Sequence, residues 1–519
     1  MSIEGRLPHA RSAARRGRRR RAPGLAQPPW TLIESPYAPV SVFSEDQVEE
    51  IHDTAMRILE ELGIELMSAR ARRLFRAAGA ETDEATGLVR IDRGLLLELV
   101  ARAPTRFRLT PRNPERALEI GGRSVIATLV AGPPAVHDAV RGRRASNLAD
   151  YRELTRLAQS LNAIHMLGNQ VSAPIELPPE SRHLDCYQAN LELCDKSFHV
   201  TAIGPERARD GVAMMALAKG MTLQEMAESP AVSTIISVNS PRRFDAAMAE
   251  GLMEMAALGQ AVTVTPFTLM GAMTPVTLPA AMAQQTAEAL FGIALAQLVR
   301  PGAPAIYGAF TSNVDMRSGA PAFGTPENAK ANIASGQMAR RYGLPYRATP
   351  SNASNAPDAQ AVWETMMSLW GCVMGGANIL YHGAGWLEGG LCASFEKVVL
   401  DAEMLSHLYA FLTPEVVDTE TLGREALARV PTGGHFFGDP HTLARYQTAF
   451  YTPMLSDWRN HETWTGDGAK TATERATETW QSALQAYEQP ALAEDRSEAI
   501  RDFVARRKSE IAAGIDRPE

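Results

Sequence analysis

From about residue 122 onward, short apolar runs rich in β-branched residues alternate with longer segments of helical period, the pattern of parallel βαβ units. The runs predict strands at 124–130, 163–168, 197–203, 232–238, 261–266, 305–310, 346–350 and 377–381. Helical patterns fill the gaps at 147–159, 179–193, 205–219, 242–258, 278–299, 326–342, 357–374 and 394–412. Eight strands, each followed by a helix, are the count of a closed (β/α)8 TIM barrel, and the roughly 290 residues involved are close to its usual size of about 250 with insertions. A doubly wound open sheet fits the same alternation, but no GxGxxG turn follows any strand. The predicted fold is therefore α/β, a (β/α)8 barrel over 122–412.

The flanks read differently. Ser44 and Gln47 form a capping-box pattern ahead of Val48, Ile51, Met56, Leu59 and Leu62, and Gly63 closes that helix. A second helix starts at Ser68 and stops at Gly79, a short strand covers 87–91, and a third helix covers 93–102 before Pro104. Residues 41–121 are thus expected to form a small, mostly helical N-terminal domain. Residues 1–40, with the arginine run 11–21, are expected to be a disordered basic tail. Residues 413–519 form a C-terminal extension expected to fold back over the barrel, with a His- and aromatic-rich stretch at 432–457 and plain charged helix at 469–508.

Composition narrows the function classes. A hydrophobic share of 45%, 21% charged residues and a net charge of -7 suit a soluble enzyme and argue against bulk nucleic-acid binding. The four cysteines form no CxxC, which fits a reducing compartment. No apolar h-region follows the arginine run, and 287–299 is short and carries Glu288 and Gln297, so neither export nor membrane insertion is expected. The expected location is cytoplasmic.

A barrel keeps its chemistry at the C-terminal ends of its strands. The candidates there are Asn169, Gln170, Thr201, Ser237, Asn239, Thr265, Tyr307, Thr311 and Asn313, then 351–358 with Gln360, and 381–388. They include no paired carboxylates and no nucleophile-base pair. No HExxH, HxH or P-loop occurs, and no metal is expected; a zinc site from Cys372, Cys392 and His382, making a zinc-dependent barrel methyltransferase for a thiol or alcohol, is the alternative. What remains is aromatic faces, amides and a single acid. That lining suits a quaternary ammonium, which offers no hydrogen-bond donor and is held by π faces and nearby negative charge. Trp386 and Tyr307 are the expected cage walls, with Tyr381, Tyr346, His382 and Asp358 beside them, Glu388 as the charge, and Asn355 and Gln360 as loop residues facing substrate. Trp363 and Trp370, seven apart on one helix face, have the spacing of a packed core.

The runs SNAPDAQA at 354–361, GGANILYHGAGWLEGGLCASFEKVVLDAEM at 375–404 and GGHFFGDPHT at 433–442 resemble the trimethylamine methyltransferase superfamily of corrinoid-dependent methyltransferases. The resemblance covers nearly the whole chain after the tail and implies a (β/α)8 barrel. Trimethylamine enzymes of that family carry pyrrolysine at about the position of Asn355 or Ala356. Ordinary residues here place the resemblance with the branch lacking pyrrolysine, which includes glycine betaine methyltransferases. Family members without pyrrolysine commonly have Ser-Lys-x-Pro-Asp where this chain has Ser354-Asn355-Ala356-Pro357-Asp358. The resemblance implies methyl transfer from a quaternary amine to cobalamin carried by a separate corrinoid protein. In keeping with this, none of the eleven histidines sits in the DxHxxG signature of corrinoid-binding domains. A homo-oligomer is expected, and a non-catalytic betaine-binding barrel is the remaining alternative.

Overall fold

The computed structural model describes residues 25–515, so the arginine run lies outside the described residues. Eight strands form the centre: β1 (Ser124–Leu129), β2 (Met166–Leu167), β3 (Ser197–Val200), β4 (Ser233–Val238), β5 (Ala261–Met270), β6 (Ala305–Gly308), β7 (Tyr346–Ala348) and β8 (Ile379–Ala384). Each pairs in parallel with its neighbours, and β8 returns to β1 through Ile379 with Ile126 and Leu380 with Ala127. The sheet is therefore a closed eight-stranded barrel. Eight helices follow the strands in turn: α1 (Leu148–Ser160), α2 (Arg182–Leu193), α3 (Pro205–Lys219), α4 (Ala246–Ala257), α5 (Leu278–Val299), α6 (Pro326–Arg341), α7 (Ala359–Met374) and α8 (Phe395–Phe411).

Strand alternation decides which side chains fill the barrel. Ile126, Met166, Ala261, Ile306 and Ile379 point inward and pack with Leu109, Leu118 and Ile120. The last three belong to a hairpin, Arg106–Leu109 with Leu118–Gly121, which plugs the N-terminal end. The same parity turns Tyr307 and Tyr346 outward. The Tyr307 hydroxyl bonds to Gln285 and Thr286 on α5, and that of Tyr346 donates to the Asn332 carbonyl on α6.

The flanking segments cover barrel helices. Ser44 and Gln47 make the capping box, and the helix Glu45–Arg57 runs on through a π turn, Ile58–Leu62, to Gly63 at φ 73°. The N-terminal helices lie on α5, with Phe75 stacked 4.5 Å from Phe291. The described part of the expected tail is packed rather than loose: Ile33 and Glu34 pair with Val125 and Ser124, and Trp30 sits between His165 and Arg116. At the other end, α9 (Ala472–Gln485) lies on α8 and α1, and α10 (Glu494–Ala512) on α2 and α3. The break between them contains Pro490, which cannot continue a helix. Among the described residues no helix is long and apolar enough to cross a membrane.

Two features over the mouth have no counterpart in the sequence pattern. The hairpin Ala135–Asp138 and Gly142–Ala145 joins Trp386–Leu387 and Cys392–Ser394 in a small roof sheet. Phe310–Val314 extends the wall by pairing with the far end of β5.

Candidate active site

A cavity of about 550 Å³ opens where the barrel strands end. Its wall includes Asn169, Thr201, Ser237 and Asn239 at strand ends and Thr265 within β5, together with Phe267, Phe310, Arg347, Tyr381 and His382. Tyr381 and His382 are consecutive, yet both line it. A strand would normally send them to opposite faces, but His382 has φ 63° and the pairing of β8 with β1 slips between Leu380 and Ala384. The irregularity brings two successive rings to one cavity.

Arg347 dominates the electrostatics. It is buried on the inner side of β7, its guanidinium carbon 4.6 Å from the Tyr381 ring centre and 5.7 Å from that of Phe310. One terminal nitrogen donates to the Ala309 carbonyl at 2.9 Å, and Nε has no partner. Among the described residues no carboxylate forms an ion pair with it. Burial pulls its pKa down to about 10, so it stays cationic at neutral pH. The hydroxyls of Thr201 and Thr265, also on the wall, have no partner either. Buried polar groups are ordinarily satisfied, and orphans clustered at a cavity mark where a ligand or water completes them.

The rings nearby stay neutral. Burial, then Arg347, then His199, hold His382 well below the usual histidine range. The Ala131 amide donates to its Nδ1 at 3.1 Å, which leaves the proton on Nε2. His199 is pushed down to about 3 by burial and by Arg347; its ring meets Tyr381 edge-on at 4.7 Å and its Nδ1 pairs with the Ser233 hydroxyl at 2.7 Å. The Tyr381 phenol is raised to about 12 and bonds to Asn169.

The structure brings only some of the predicted residues together. Tyr381 and His382 line the cavity. Trp386 stands one layer behind, its ring 4.4 Å from His382 and 6.0 Å from Phe310, with Nε1 donating to the Asn352 carbonyl. Tyr307 and Tyr346 face the helices for the parity reason given above. Glu388 pairs with Arg143 of the roof hairpin at 2.8 Å instead of facing the cavity. Asp358 caps α7 by accepting from the Gln360 and Ala361 amides, Gln360 donates to Glu364, and Asn355 is exposed. Arg347 was missed by sequence reasoning; the available signal was a lone charge in an apolar strand at an inward position. Among the described residues no group of three or more His, Cys, Asp or Glu is arranged to hold a metal ion. Burial drives the Cys372 and Cys392 thiols up, the latter to about 12.

The trimethylamine methyltransferase (MTTB) family model matches residues 9–512. The chain belongs to the trimethylamine methyltransferase family. It is 34% identical over 472 residues to the glycine betaine methyltransferase of Desulfitobacterium hafniense (strain Y51), covering 91% of this chain and 98% of that protein. It is 29% identical to the trimethylamine methyltransferase MttB of Desulfitobacterium hafniense (strain DSM 10664 / DCB-2), over 90% of this chain and 94% of that protein. Among solved structures, the Methanosarcina barkeri monomethylamine methyltransferase MtmB superposes with a TM-score of 0.45 at 10% identity, over 88% of this chain and 96% of that one.

Proposed function

We propose that this enzyme moves a methyl group from a quaternary amine bearing a carboxylate, glycine betaine or a close analogue, to a Co(I) corrinoid carried by a separate protein in the cytoplasm. The observation that carries the reading is Arg347. A buried cation without a protein counter-ion repels a bare ammonium and calls for an anionic group on the ligand, with which it forms charge-assisted hydrogen bonds. Choline and trimethylamine lack that group. The Phe267 and Phe310 faces, 4.8 Å apart between ring centres, are placed for the trimethylammonium end.

The rest of the lining agrees. Methyl transfer from a quaternary nitrogen moves no proton and releases a neutral tertiary amine. His382, with its acceptor nitrogen taken by the Ala131 amide, is no general base, and none is required. When its carrier docks at the open mouth, the corrinoid supplies the electron pair that accepts the methyl group. The chain's own residues bind the carboxylate, orient the ammonium and exclude water. Family membership and the glycine betaine methyltransferase relative support the same reading.

The test offers glycine betaine, proline betaine, carnitine, choline and trimethylamine in turn to the enzyme with a reduced corrinoid protein. Loss of the Co(I) absorbance is expected with carboxylated quaternary amines and not with choline or trimethylamine. Tight betaine binding without that loss, beside a competent partner, would favour the non-catalytic alternative; turnover of trimethylamine alone would overturn the proposal.

A further inference from the structure

A betaine carries a positive pole as well as a negative one, and Arg347 answers only the second. Glu388, which the sequence pattern offered as the matching charge, is tied to Arg143 on the roof. A different carboxylate stands behind the cavity wall. Glu288 is the one charged residue of α5, in the first half of that helix, and its side chain is buried. One carboxylate oxygen accepts from the Arg242 amide at 2.8 Å and from Gln284 Nε2 at 2.9 Å, and the other accepts from the Ser240 hydroxyl. Burial raises its pKa while the three donors pull it back. Arg242 turns its guanidinium to the Gly63 carbonyl at 3.3 Å, and among the described residues no cation forms an ion pair with Glu288. A carboxylate taken out of water in this way is costly unless a charge of opposite sign completes it.

Two of the three donors form or hold the cavity wall. Ser240 lines the cavity, and Gln284 also donates to the carbonyl of Met273, another wall residue, at 3.0 Å. The strand register sets what stands beside Ser240. Val238 pairs with Pro266, so the chain leaving β4 through Asn239 and Ser240 runs alongside Phe267. A serine hydroxyl has one proton and two lone pairs. Ser240 gives its proton to Glu288, which leaves the lone pairs for the cavity, polarised by the charge behind them.

We propose that Ser240, backed by the Glu288 carboxylate, is the negative pole of the substrate site and meets the trimethylammonium end of the betaine. The assignment rests on the reading of Arg347 as the carboxylate anchor. Strands β4 and β7 stand three places apart around the barrel, so the zwitterion lies across the cavity, its charges turned to opposite partners. Ser240 touches the substrate, and Glu288 is a positioning residue that acts through it. The arrangement suits a cation without an N–H, which a hydroxyl oxygen and the neighbouring Phe267 face attract without a hydrogen bond. Setting the charge one residue behind the wall also keeps an anionic oxygen, itself able to accept a methyl group, away from the reacting carbon.

Calorimetric titration of the full chain without a corrinoid partner tests this with two ligands of one shape: glycine betaine, and 3,3-dimethylbutyrate, in which carbon replaces the charged nitrogen. Glu288→Gln should raise the glycine betaine Kd about tenfold or more, the effect of a unit charge felt through protein at close range. The Kd of 3,3-dimethylbutyrate, read directly or by displacement, should stay within threefold. A merely structural Glu288 would weaken both ligands alike. Ser240→Ala keeps the buried carboxylate and reads the contact even if Glu288→Gln fails to fold; it should shift the two ligands in the same unequal way. Equal losses for both ligands, or a glycine betaine Kd unchanged within threefold, overturns the proposal. Arg347→Met should weaken both, since both carry the carboxylate. Undiminished binding of both in that variant overturns the anchor, and this orientation with it, and is told apart from a failure at Glu288 alone.

Discussion

Replacing Arg347 with methionine should weaken glycine betaine binding while leaving the ligand-free protein no less stable, a combination that separates a ligand anchor from a structural arginine. The guanidinium is buried, bonds once to the Ala309 carbonyl and has an unpartnered Nε. Removing such an ion from water costs several kcal/mol even after relaxation. Stacking on Tyr381 and Phe310 returns ~2 kcal/mol, so the empty site holds a net penalty. Methionine, of similar length, removes that penalty and leaves the Ala309 carbonyl short of a donor, a loss of about 1–3 kcal/mol. The two changes roughly cancel. In the complex, by contrast, the variant loses a desolvated charge pair worth about 2–5 kcal/mol. At about 1.4 kcal/mol per tenfold, Kd should rise roughly 30- to 4,000-fold. Calorimetric titration of glycine betaine into both proteins, without a corrinoid partner, measures this directly, and urea denaturation of the ligand-free proteins measures the other half. Choline should bind the variant no worse than it binds the wild type. A betaine Kd unchanged within threefold refutes the assignment, and so does a variant whose urea midpoint collapses.

Three further outcomes follow from the same structure. His165, His199 and His382 are buried as neutral rings, the first two pushed down to about 4 and about 3 and the third well below the ordinary 6.5. The unfolded chain takes up protons near 6.5 that the folded chain refuses, so stability is lost as pH falls below 6.5, each ring adding a slope of about 1.4 kcal/mol per unit. Urea midpoints should fall from pH 7 to pH 5, and His199→Gln should flatten the fall. Asp401 shares a buried ion pair with Lys397 and accepts from the Gly385 amide at 2.8 Å. Asp401→Asn strands the ammonium and should cost about 3–5 kcal/mol in denaturant titration. Glu388, tied to exposed Arg143 on the roof, should tolerate Glu388→Gln with less than a threefold change in betaine Kd; a larger change in the same titration would return it to the site.

The sequence by itself determined the barrel. Strand and helix periods are local properties of consecutive residues, and the predicted strand at 346–350 and the predicted helix at 278–299 stand as β7 and α5 within a residue or two. It also placed Asn169, Thr201, Ser237 and Asn239 at the mouth, because residues at a strand end can only lie there. What it could not decide was facing. Tyr307 and Tyr346 sit on the right strands but on the outer side, a matter of one residue of register. Trp363, which has core spacing, lies exposed, and Trp386 stands behind His382 rather than in front of it. Arg347 drew no attention as a lone charge in a three-residue strand. Its meaning came from what the closed barrel leaves out, a carboxylate within reach, and the absence of a partner is a property of three-dimensional surroundings that no local pattern encodes.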